Sequence, residues 1–186
     1  MKSGNPPMNN YDFPSQFRKV YDHAMALYAT GRRGAETFFD TGQRAWLLSN
    51  GITPQYVYDY AEDENSVGEP GFGHALAIES VRRDYFLNVQ KGKASRVVLD
   101  EARMPAKTES AKGIEWLPRI IPKAKAKLKG ELPASLMYCC GGDRRFFKAH
   151  DILPAEFLSL VWRNGDKDGA TIDWVVARSK ASRLAP

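Results

Sequence analysis

The chain has 186 residues, 43% hydrophobic and 26% charged, which suits a globular protein able to bury about 70% of its unfolded surface. The net charge of +5 is unevenly held: residues 1–100 carry 11 Lys/Arg against 12 Asp/Glu, and residues 101–186 carry 16 against 10. No apolar run approaches the ~20 residues of a membrane helix and the Asn- and Pro-rich start does not read as a signal peptide, so no membrane association is expected; the adjacent cysteines, read as reduced thiols, point to a cytoplasmic protein.

Residues 1–13 read as a flexible arm, and a first helical unit follows over 14–90. Phe17, Val20, Tyr21, Ala24, Leu27 and Tyr28 recur at three and four residues, which predicts an amphipathic helix ended by Gly31. A second helix starts near Thr41, carries Ala45 to Leu48 and closes at Asn50-Gly51. Thr53 then offers a cap, Pro54 suits a first helical position, and Ile52 with Val57 has the spacing of a hydrophobic staple. Acidic Glu62, Asp63 and Glu64 are expected to end that helix. After a loop containing Gly68, Pro70 and Gly71, a fourth helix from about His74 to Gln90 shows the stripe Ile78, Val81, Tyr85 and Val89. Residues 91–113 form a connector in which only Arg96 to Leu99 could make a short strand.

The second unit, 114–181 with a tail at 182–186, repeats the first at an offset of one hundred residues. Phe17, Val20, Tyr21 and Ala24 fall on Leu117, Ile120, Ile121 and Ala124. Gly42 and Arg44 fall on Gly142 and Arg144, and Ile52 and Pro54 on Ile152 and Pro154. The expected fold is therefore all-α, two tandem units of four helices packed together. What both units share should be scaffold. What only one carries is where function should be sought.

Three constellations could carry chemistry. In Pro122 to Lys129, lysines at every second position place Lys123 and Lys127 on one outer flank of a helix and Lys125 and Lys129 on another, with Ile120, Ile121, Ala124 and Leu128 buried. Lys123 and Lys127, with Arg119, Arg144, Arg145 and Lys148, outline a basic surface for a protein partner, with nucleic acid or a small anion as alternatives. In Cys139 to Arg145, two glycines before arginines could hold an anion at a helix start, and a nearby thiol could be reactive. The plainer reading is that the glycines turn the chain, Asp143 caps the helix and the cysteines fill a small gap. The first unit keeps Gly42 and Arg44 without the thiols, having Phe39 and Asp40 in their place, which favours a structural turn. Adjacent Cys139 and Cys140 also point to reduced thiols. Finally, Asp59, Glu62, Asp63, Glu64 and Glu69 form an acidic patch without a calcium-loop pattern, and His23, His74 and His150 lack metal-ligand spacing. No metal or cofactor is expected, and no phosphate-loop, dinucleotide or nucleophile-elbow motif occurs.

Residues 113–121 (Gly-Ile-Glu-Trp-Leu-Pro-Arg-Ile-Ile), Lys127 to Pro133, Asp143 to Phe147, Ile152 to Phe157 and Ile172 to Val175 form a spaced series over about 108–178. In these motifs the second unit resembles a bacterial family of unknown function (DUF 5069), although Pro122 departs from the polar residue usual there. The resemblance implies no activity and transfers no site residue. Two functions are expected from the residues: a non-enzymatic interaction module docking through the basic surface, or a small-molecule or anion-binding enzyme. The enzyme's site would lie between the units, near Cys139, Cys140, Asp143 and His150.

Overall fold

The computed structural model describes the backbone of residues 10–184 and the side chains up to residue 181. The first nine residues of the expected arm and the end of the expected tail lie outside the described residues. Among the described residues the fold is built from eight α-helices: α1 (Phe13–Ala29), α2 (Thr41–Ser49), α3 (Pro54–Val67), α4 (Phe72–Asn88), α5 (Leu117–Lys129), α6 (Gly141–Ala149), α7 (Pro154–Asn164) and α8 (Asp168–Leu184). The protein is all-α, as the periodicity predicts. None of the described helices is long and apolar enough to cross a membrane.

The helix starts follow their local chemistry. Asp40 caps α2 by accepting the Gln43 N–H at 2.8 Å, and the Gln43 side chain returns the bond to the Asp40 N–H. Thr53 caps α3 before Pro54. Leu153 has no capping oxygen, so Glu156 accepts its N–H instead. The acidic run 62–64 does not end α3, which continues to Val67 and stops where Gly68 turns left-handed at φ 70°. In the connector, residues 96–99 are not a strand. Their Leu99 N–H is taken by the Glu131 carbonyl, and the two strands present are the hairpin partners β1 (Ser110–Ala111) and β2 (Ile114–Glu115).

Helix bounds and several bonds recur at the hundred-residue offset. α2 and α6 span 41–49 and 141–149, and α3 and α7 start at Pro54 and Pro154. Ile52 N–H donates to the Leu47 carbonyl and Ile152 N–H to the Phe147 carbonyl, both at 3.0 Å. The Arg44 and Arg144 guanidiniums each donate to the carbonyl five residues back, at Phe39 and Cys139.

Two apolar cores result, one from α1–α3 with Ala75, the other from α5–α8 with Ile78. α4 thus serves both. It is consequently less amphipathic than its apolar stripe suggests: Glu79, Arg82 and Arg83 are buried on it, whereas Val89 is 48% exposed. Leu132, in the loop after α5, packs against both cores.

Candidate active site between the units

The lysine pair expected on an outer flank of α5 faces inward. Lys123 and Lys127 are each only 2% exposed. A buried ammonium is tolerable only beside a carboxylate with its remaining hydrogen-bond capacity filled. Lys123 Nζ meets that condition by donating to both oxygens of fully buried Asp143 at 3.0 Å. The same carboxylate accepts the Trp116 indole N–H and the Cys139 backbone N–H, both at 2.9 Å. Lys127 Nζ reaches Glu79 of α4 at 2.5 Å and lies 3.3 Å from the centre of the Tyr56 ring. Glu79 also accepts the Tyr60 hydroxyl at 2.8 Å, and burial lowers the Lys127 ammonium despite that partner.

Asp143 is therefore not the cap of α6. Cys140 occupies the cap position without a side-chain bond to the helix, and Asp143, three residues in, points back toward Trp116 and Lys123. Nor does Gly142 serve simply to turn the chain. A Cβ there would stand 2.4 Å from the Trp116 indole, so the glycine admits the ring. Trp116 and Cys139 hold left-handed backbones at φ 69° and 72°, a strain that bulky side chains adopt only when their surroundings impose it.

The remaining predicted cations disperse. Arg144 is 7% exposed and spans the units: its Nη1 donates to Asp63 at 2.5 Å and its Nε to Glu69 at 2.8 Å. Lys148 also binds Glu69. The acidic end of the first unit is thus bound by the second. Arg119 is 9% exposed, donates to the Pro105 carbonyl at 2.8 Å and approaches Glu101 at 3.8 Å. Arg145 alone of the six is exposed without an ion pair among the described residues. These six residues do not form the expected exposed basic surface, since Arg119, Lys123, Lys127 and Arg144 are buried.

What forms instead is a cleft of about 410 Å³ between the units. α3 contributes Asp59, Glu62 and Asp63. Trp116, Arg119 and Lys123 come from α5 and its start, and Cys140, Gly142 and Arg145 from α6 and its cap. Lys123 Nζ lies 3.5 Å from Cys140 Sγ. The two thiols differ sharply: Cys140 is partly open on the cleft, whereas Cys139 is fully buried and its thiol is pushed up to about 12 by burial and then by Asp143. Burial likewise pushes the Asp59 carboxyl up to about 7, against the opposing effects of its Gln55 bond and of Lys127.

His150 is not brought into this cleft. Its Nδ1 pairs with the Ser179 hydroxyl at 2.8 Å and its ring packs on Phe146. Among the described residues, no group of three or more His, Cys, Asp or Glu side chains is placed to hold a metal ion. Asp59, Glu62 and Asp63 were legible in the sequence as an acidic patch but not as a wall of the same site as Cys140. The burial of Lys123 did have a signal: Trp116, Ile120, Lys123 and Lys127 continue one helical stripe at four-, three- and four-residue steps. Compared with known proteins, the chain matches no family model, no curated protein and no solved structure.

Proposed function

We propose that the protein binds a small polar molecule in the cleft between its two helical units, with Cys140 as the reactive side chain of the site. The observation that carries this reading is the placement of Cys140 Sγ, partly open on a 410 Å³ cleft and 3.5 Å from the Lys123 ammonium. A cation beside an accessible sulfur at the start of a helix is the setting in which thiols act as nucleophiles. The cleft's volume is in the range of small-molecule sites. Docking through a basic surface is the weaker reading, because Lys123, Lys127 and Arg144 are engaged inside the protein and Lys148 is tied to Glu69.

Iodoacetamide at neutral pH tests the proposal, with the modified residue identified by mass spectrometry. Cys140 should be alkylated in the folded protein while Cys139 stays unmodified until unfolding. Equal resistance of both thiols would sink the reading. A thermal-shift screen over nucleotides, metabolites and small anions should then find ligands that raise the melting temperature by binding the folded state.

A further inference from the structure

The charges lining the cleft are sorted by helix. α3 supplies acidic groups only (Asp59, Glu62 and Asp63), the α5–α6 side supplies cations only (Arg119, Lys123 and Arg145), and the connector adds one of each, Glu101 and Lys107. Several of these groups retain capacity. Glu62 is exposed and takes one bond, from the Tyr28 hydroxyl at 3.2 Å. Asp63 engages Arg144 through Oδ2. Opposite in charge, Arg145 is exposed and has no ion pair among the described residues. A simple anion entering the cleft would gain Arg145 but meet the carboxylates of Glu62, Asp63 and Glu101. A simple cation would gain Glu62 but meet four basic groups, Lys107, Arg119, Lys123 and Arg145. Like-charge juxtaposition of this kind rejects a ligand as effectively as a missing contact.

We infer that the cleft takes a small zwitterion, its ammonium toward Glu62 and Asp63 on α3 and its carboxylate toward Arg145 on α6. This rests on the cleft reading above and adds the class of ligand. It also assigns Glu62 and Arg145 as binding residues, each at the mouth of the site. Cys140 lies within the same lining, so an occupied cleft covers its sulfur.

The test uses that coverage on the full chain, with length-matched probes. γ-Aminobutyrate and 6-aminohexanoate carry both charges; butyrate and hexanoate carry only the negative one, butylamine and hexylamine only the positive one. At saturating concentration at least one zwitterion should slow iodoacetamide modification of Cys140 by about tenfold, with the single-charge probes changing it less than about twofold. Glu62→Gln and Arg145→Gln, both at exposed positions, should each abolish that protection, measured against each variant's own unprotected rate, while leaving the melting temperature unchanged. Equal protection by a single-charge probe overturns the zwitterion assignment and leaves the cleft reading standing. So does the absence of protection by every probe when Cys140 itself is readily alkylated. A Cys140 that resists alkylation removes the cleft reading, and the ligand class falls with it.

Discussion

The starts of α2 and α6 lie one hundred residues apart, at Thr41 and Gly141, and are built differently. At α2, Asp40 and Gln43 close a reciprocal capping box, and Arg44 returns to the Phe39 carbonyl. At α6 the arginine keeps the corresponding bond to the Cys139 carbonyl, but the rest has changed. Cys140 replaces the cap, Asp143 receives a buried lysine, and Arg144 reaches across to Asp63 and Glu69. One helix start completes itself with local bonds. The other leaves its cap side chain open on the cleft and uses its charges to join the units. The shared arginine bond is scaffold, and the additions at α6 form the candidate site.

The largest effect expected from this contrast is at Lys123. Lys123→Met leaves the Asp143 charge buried without its counter-ion and should cost about 3–5 kcal/mol in denaturant unfolding. Lys129→Met, on an exposed position of the same helix, should stay within about 0.5 kcal/mol. Equal small losses would place Lys123 back on the surface.

Here the sequence and the fold part company for a definable reason. Starts at Thr41, Pro54 and Pro154 were legible because caps and prolines act within one turn. The fate of Lys123 and Lys127 was not, because their partners lie 20 residues ahead at Asp143 and 48 residues back at Glu79. Alternation of Lys with Ala looks solvated when only the helix's own neighbours are counted. Likewise, Val89 belongs to an apolar stripe, yet α4 is turned so that Glu79, Arg82 and Arg83 are buried, Glu79 against Lys127 of α5.

The paired arginines sharpen the comparison at smaller scale. Arg144→Leu removes bonds to two carboxylates and a carbonyl, and should cost about 2–4 kcal/mol, against about 1 kcal/mol for Arg44→Leu. A thermal or urea series on the two variants decides whether the bridge between units contributes beyond the turn.

Asp59 against its counterpart Ser159 gives a pH test. With a carboxyl at about 7 when folded and near 3.8 when unfolded, the native state holds a proton that the unfolded chain has lost across that interval. The stabilisation is therefore complete below about pH 4 and is lost as pH rises through about 7, with a slope of up to ~1.4 kcal/mol per pH unit from this group. Asp59→Asn should flatten unfolding stability measured across that interval and raise it relative to the parent at pH 8. Ser159→Asn should leave the parent's pH profile unchanged. The smallest expected difference is at the caps themselves. Asp40→Ala should cost about 1 kcal/mol, whereas Cys140→Ala, which removes no cap bond, should cost less than about 0.5 kcal/mol. A large loss at Cys140 would make it scaffold rather than site.

α4 has a bearing on how the molecule comes apart. Its Ala75 closes one core and its Ile78, a turn along, closes the other, while Glu79, the next residue, accepts Lys127 from α5. Neither half can melt and leave the other's interior covered. Unfolding should accordingly run as one cooperative transition with matching calorimetric and van't Hoff enthalpies. A helix common to two interiors also ties the walls of the cleft to one another, so ligand binding should leave the helix packing unchanged.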